Sequence, residues 1–123
     1  KYKATTDSSH QYAIVENVLD RNFYVDEINR VWVSDLTYVH TSNGWVYLTT
    51  VIDLFDRKVV GWSLSETMKT CDTTVPAFKM ALQNRNIAND HKFIFHSDRG
   101  VQYACDEFVL ETKKYNNLTR SMS

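Results

Sequence analysis

Residues 31–64 alternate between apolar and polar side chains in three short runs, which predicts strands rather than helices. Val31–His40, rich in β-branched and aromatic residues, is the first. Thr41-Ser42-Asn43-Gly44 then reads as a turn, with Gly44 able to take positive φ. Trp45–Leu54 is the second strand and, after a tight turn near Asp56-Arg57, Lys58–Leu64 is the third. The joins are too short for parallel crossovers, so the three form an antiparallel meander. A helix follows, capped by Asp72 or Thr74 and tolerant of Pro76 in its first turn, with Val75, Phe78, Ala81, Leu82 and the stem of Arg85 facing inward. Asn84–Asn89 stops it. Lys92–His96 is a fourth strand, a second helix runs over roughly 105–115 with Phe108, Val109 and Thr112 or Tyr115 buried, and Leu118–Met122 is a fifth strand.

The order βββαβαβ predicts an α/β fold in which a five-stranded mixed sheet carries helices and strand 4 lies parallel to strand 1. Upstream, Tyr12, Val15, Leu19 and Phe23 recur near helical spacing, giving a short helix over roughly 10–22 and a polar connector over Tyr24–Arg30. The expected organisation is therefore a linker with a short helix over 1–30 and a core over 31–123. The chain begins at Lys1 rather than Met and stops at Ser123 directly after a strand-like segment, which reads as a piece of a longer polypeptide.

Composition adds little. Hydrophobic residues at 43% and charged residues at 24% suit a soluble globular domain, and a net charge of −1 with no basic stripe gives no electrostatic advertisement for nucleic acid. Cys71 and Cys105 lack metal-ligand spacing and read as free thiols in a reducing cytosol. No apolar stretch approaches the ~20 residues that span a bilayer.

Two aspartates change the picture. Asp35 interrupts the first strand and shares a face with Val31, Val33, Thr37 and Val39, a face expected to be buried. Asp98 closes Phe93-Ile94-Phe95-His96-Ser97-Asp98 at the carboxyl end of a strand, where ligand sites of open α/β sheets gather. Each has a structural alternative: a carboxylate bonded to neighbouring backbone or a basic side chain for Asp35, a turn-forming residue before Gly100 for Asp98. If the two strands are neighbours, both carboxylates stand beside one cation, an arrangement used for phosphoryl transfer. Asp53 and Asp56 are assigned to turn formation and an Asp–Arg pair, Glu66 is a weak candidate, and Glu107 and Glu111 belong to a solvated helix face. His96 either orients a ligand or water or is a satisfied core histidine; His40 flanks the other strand. There is no zinc-type cluster, P-loop, GxSxG elbow or Gly-rich dinucleotide loop. Asp35 also lacks the second Asp two residues on that a haloacid dehalogenase-type phosphatase shows.

Val31-Trp32-Val33-Ser34-Asp35-Leu36-Thr37-Tyr38, Gly44-Trp45-Val46-Tyr47-Leu48, Val51-Ile52-Asp53-Leu54-Phe55-Asp56-Arg57-Lys58-Val59-Val60-Gly61-Trp62 and His96-Ser97-Asp98-Arg99-Gly100-Val101-Gln102-Tyr103 together resemble the integrase catalytic core of bacterial insertion-sequence transposases. That group belongs with the retroviral integrases. The resemblance implies an RNase H-like fold and a DDE triad in which Asp35 and Asp98 are the first two catalytic, metal-binding carboxylates. The third, a Glu on a helix further on, falls past Ser123, and Glu107 and Glu111 come too early to replace it. The implied activity is DNA transposition: 3′-end cleavage and strand transfer with two Mg²⁺ or Mn²⁺ ions between the carboxylates. Its partners are transposon-end and target DNA and further copies of the chain, with no membrane, in the bacterial cytoplasm at the nucleoid. Residues 1–123 alone are then expected to be inactive. An RNase H-like nuclease without strand transfer, or a non-catalytic DNA-docking remnant, accounts for the same aspartates.

Overall fold

The computed structural model describes residues 25–123; the helix expected over 10–22 lies outside them. Five strands, β1 (Val31–Thr41), β2 (Gly44–Asp53), β3 (Val59–Ser65), β4 (Phe93–Ser97) and β5 (Leu118–Met122), form one sheet in the order β3-β2-β1-β4-β5. β1 pairs antiparallel with β2, and β2 with β3, whereas β1–β4 and β4–β5 are parallel. The meander, and the placement of strand 4 beside and parallel to strand 1, are as the connection lengths predict. Gly44, at φ +113°, closes the β1–β2 hairpin, where the Thr41 hydroxyl donates to its carbonyl at 2.6 Å.

A 3₁₀ turn at Thr70–Asp72 leads into α1 (Thr74–Arg85), and two short helices, α2 (Val101–Ala104) and α3 (Asp106–Thr112), join β4 to β5. The single helix expected over 105–115 is thus split, because Cys105 is extended (φ −72°, ψ 163°) and serves as the N-cap of α3. Neither Asp72 nor Thr74 caps α1. Asp72 instead accepts from the Thr67 hydroxyl at 2.7 Å, and Thr74 donates to the Gln102 carbonyl at 2.6 Å, so tertiary partners claim both groups. At its other end Asn86 in the left-handed region (φ 51°) terminates α1, as the Asn-rich stop predicts.

One sheet face packs against these helices. Trp32, Val51, Phe95 and Met122 from the sheet meet Ala77, Phe78, Ala81, Tyr103 and Phe108 from the helices, all buried. The aromatic rings meet edge-on or tilted, Phe78–Phe95 at 5.4 Å and Tyr103–Phe108 at 5.6 Å between centroids, the geometry favoured by their quadrupoles. α1 buries Ala77 rather than the flanks of the expected stripe, and Val75 and Leu82 pack at the margin. Gly61 explains why: a Cβ there would collide with the Ala77 carbonyl and lie 2.7 Å from Ala81 N, so the missing side chain lets helix and strand backbones touch. Among the described residues the opposite face is open, with Val39, Val59, Trp62 and Leu64 exposed on it.

Candidate active site

β1 is central in the sheet, and its alternation sends Trp32 and Ser34 into the helix-facing core, with Asp35 to the other side. The expectation that Asp35 points to a buried side is therefore corrected: its side chain is exposed, because the face it shares with Val33 and Val39 is the open one. β1 and β4 run parallel with Val31 opposite Ile94 and Val33 opposite His96. β4 ends at Ser97, so Asp98 leaves the sheet one residue past the strand that pairs with the start of the strand carrying Asp35. The Tyr103 phenol is pushed well above its usual range, first by burial and further by the charges of both Asp98 and Asp35, with the hydrogen bond to Ser34 opposing.

Both carboxylates keep free acceptor capacity. Asp98 Oδ1 accepts from the Gly100 amide at 2.7 Å, the turn geometry expected of an Asp before Gly, and the residue is exposed. Asp35 accepts no hydrogen bond and makes no ion pair among the described residues. The structural alternative for Asp35 thus finds no partner, while that for Asp98 coexists with a free second oxygen. Exposed carboxylates without a basic partner are hard-oxygen donors of the kind Mg²⁺ and Mn²⁺ take. Among the described residues no group of three or more His, Cys, Asp or Glu is placed to hold a metal, so this pair is the candidate donor set.

The other acidic residues separate from this pair. Asp53 is fully buried and saturated: it accepts from Asn29 N and Phe55 N, each at 2.8 Å, and Arg85 Nη1 lies 3.5 Å away. Asp56 pairs with Arg85 Nη2 at 2.9 Å. Burial works against the charged form of Asp56, but hydrogen bonds from Arg85 and the Lys58 amide, with the charges of both residues, together hold its pKa below the usual value. Both roles are structural, as expected, and the half-buried Arg85 sets its guanidinium between the two carboxylates. Glu111 corrects its assignment to a solvated face: it is buried, 3.2 Å from Lys114 and 3.9 Å from Lys79. Glu107 is exposed, and Glu66 is exposed at the end of β3. His96 is buried with Nδ1 2.8 Å from Ser121 Oγ, which is the satisfied-histidine reading, and burial lowers its pKa. His40 is exposed against Trp45, 4.6 Å between ring centroids.

The sequence profile of the integrase core domain family matches residues 26–123. The chain belongs to that family. It is 38% identical over all 123 residues to the transposase InsF of insertion sequence IS3A from Escherichia coli strain K12, spanning 41% of that protein's length. Its integrase core is thus similar to that of a bacterial insertion-sequence transposase, and the chain spans about two fifths of the curated relative it matches. The fold is shared with the HTLV-2 integrase catalytic core domain solved in complex with magnesium (TM-score 0.65, 21% identity, 77% of this chain and 60% of that one). It is shared too with the Mos1 transposase catalytic domain solved with Raltegravir and Mn (TM-score 0.57, 16% identity, 76% and 48%). The integrase core is α/β, as its strand order predicts, and RNase H-like, as the resemblance implies. None of its described helices is long and apolar enough to cross a membrane.

Two groups in this integrase core escaped sequence reasoning. Ser34 and Tyr103 meet in the interior, hydroxyl to hydroxyl at 2.8 Å. Period-two alternation does place Ser34 on the core face between Trp32 and Leu36. A lone serine among apolar neighbours, however, gives no indication of which distant hydroxyl it meets.

Proposed function

We propose that Asp35 and Asp98 hold the divalent cation of a DNA transposase, Mg²⁺ or Mn²⁺, and that the parent polypeptide cleaves DNA 3′ ends and joins them to new DNA. What supports this reading is that Asp35 lies on β1 and Asp98 one residue past β4, its parallel neighbour, both exposed and, among the described residues, without a basic partner. Two unpaired carboxylates at one spot repel a phosphodiester, so the pair suits a nucleic-acid substrate only with a cation between them. When bound, the metal supplies activation of the attacking oxygen and stabilisation of the leaving one. The chain's own residues do the rest. Asp35 is fixed by its place opposite Thr50 in the β1–β2 ladder, Asp98 by its bond to the Gly100 amide, and each keeps at least one oxygen free. Self-association around paired DNA ends belongs to the same proposal, supported by the trimeric form recorded for the HTLV-2 core.

The experiment uses the transposase polypeptide that carries this core, a transposon-end duplex and Mg²⁺ or Mn²⁺. Strand-transfer products that disappear in both Asp35→Asn and Asp98→Asn support the proposal. Hydrolysis products alone identify the hydrolytic nuclease instead, and activity that survives both substitutions removes the two residues from the site.

A further inference from the structure

We infer that Tyr103 and Ser34 are positioning residues which hold the Asp35 and Asp98 carboxylates at the spacing a shared divalent cation requires. The inference rests on the metal reading above and deepens it. Asp35 sits on β1, whereas Asp98 lies past the end of β4, where ladder hydrogen bonds no longer fix it. Something else must set their relation.

Hydrogen bonds linked through single residues run from the Asp98 carboxylate to the backbone beside Asp35. Asp98 Oδ1 accepts from Gly100 N at 2.7 Å, and the Gly100 carbonyl accepts from Tyr103 N at 2.9 Å. The Tyr103 phenol then crosses the core to Ser34 Oγ at 2.8 Å, and Ser34 Oγ donates to the Thr50 carbonyl at 2.9 Å. Thr50 is the residue directly opposite Asp35 in the β1–β2 register, and Ser34 is its neighbour in sequence. The two ends of this series are therefore the Asp98 carboxylate and the backbone that frames Asp35.

The protons fix the direction. Ser34 has one hydroxyl hydrogen, and a carbonyl can only accept, so that hydrogen goes to Thr50. Tyr103 must then donate to Ser34, which requires a neutral phenol. Tyr103 is 1% exposed and Ser34 4%, so water does not substitute for either partner. A buried tyrosine hydroxyl ordinarily finds some acceptor. This one finds Ser34, the residue before Asp35 on β1 and the one that bonds across to β2, from a helix that begins three residues after Asp98.

The test is Mn²⁺ binding to this chain, followed by the electron paramagnetic resonance of free Mn²⁺, with thermal unfolding recorded for every variant. Tyr103→Phe and Ser34→Ala are each expected to weaken binding about tenfold, the lower range for residues that orient metal ligands. Because they break one series, the double variant should also lose about tenfold rather than a hundredfold. Val60→Ala, a destabilising core change on β3, should bind Mn²⁺ as the wild type does while folded. Wild-type binding in Tyr103→Phe would overturn the positioning role and leave the metal reading intact, as would equal weakening by Val60→Ala. Wild-type binding that is absent, or unaffected by Asp35→Asn and Asp98→Asn, would overturn both. Should Ser34→Ala fail to fold, the Tyr103→Phe comparison alone decides.

Discussion

Replacing Asp53 by Ala separates a structural carboxylate from the candidate metal ligands. The side chain is fully buried, and its two oxygens accept from the amides of Asn29 and Phe55, with Arg85 at 3.5 Å. Alanine strands both amides, at about 1–3 kcal/mol each. Arg85 keeps Asp56 at 2.9 Å, so the guanidinium is not left alone in the interior. The loss therefore lies below the full figure for breaking a buried pair, and about 3 kcal/mol is expected. Asp53→Asn keeps one accepting oxygen and turns an amino group toward the other donor, so it should fall near half that. Asp35→Asn and Asp98→Asn, on exposed side chains, should stay within about 0.5 kcal/mol of wild type. Urea unfolding followed by far-ultraviolet circular dichroism measures all four. A loss below about 1 kcal/mol for Asp53→Ala, or losses for Asp35→Asn and Asp98→Asn that match it, would refute the division of labour among these carboxylates.

Gly61→Ala drives a methyl group into the α1 backbone at Ala77 and Ala81, and backbone cannot rotate away, so a cost of about 1–3 kcal/mol or more is expected in the same unfolding assay. Ala81→Gly should not restore it, since the Ala77 carbonyl remains in the way. The Tyr103 phenol is held neutral in the folded chain while an unfolded tyrosine ionises near pH 10.0, so its contribution is complete below that pH and declines above it. The stability advantage of wild type over Tyr103→Phe should accordingly shrink above about pH 10, measured by urea unfolding at pH 9 and 11. Arg120, whose pKa burial lowers to about 10, changes stability in the opposite sense over the same range. It is common to both proteins and leaves their difference unaffected.

The meander was legible because its signals are local: β-branched runs, the turn at Gly44 and joins too short to cross over. Strand 5 agreed with its reading at both ends, whereas the second helix did not. The break at Cys105 comes from a backbone turned extended to cap α3, and neither composition nor period marks it. Alternation correctly grouped Asp35 with Val33 and Val39 but assigned that face to the interior, because valines on an open sheet face read the same as valines in a core. The adjacency of the strands that lead to Asp35 and Asp98 was readable because it needs only connection lengths and strand order. Arg85 between Asp53 and Asp56, and Tyr103 on Ser34, join residues far apart in sequence, and only the folded chain brings them together.

The most direct measurement of the central claim is the anomalous diffraction of crystals of this chain grown or soaked in Mn²⁺. The account predicts an anomalous peak ligated by oxygens of both Asp35 and Asp98, lost in crystals of Asp98→Asn. A manganese ion bound elsewhere while both carboxylates remain free, or Asp35 and Asp98 side chains turned to opposite faces of the sheet, would contradict it.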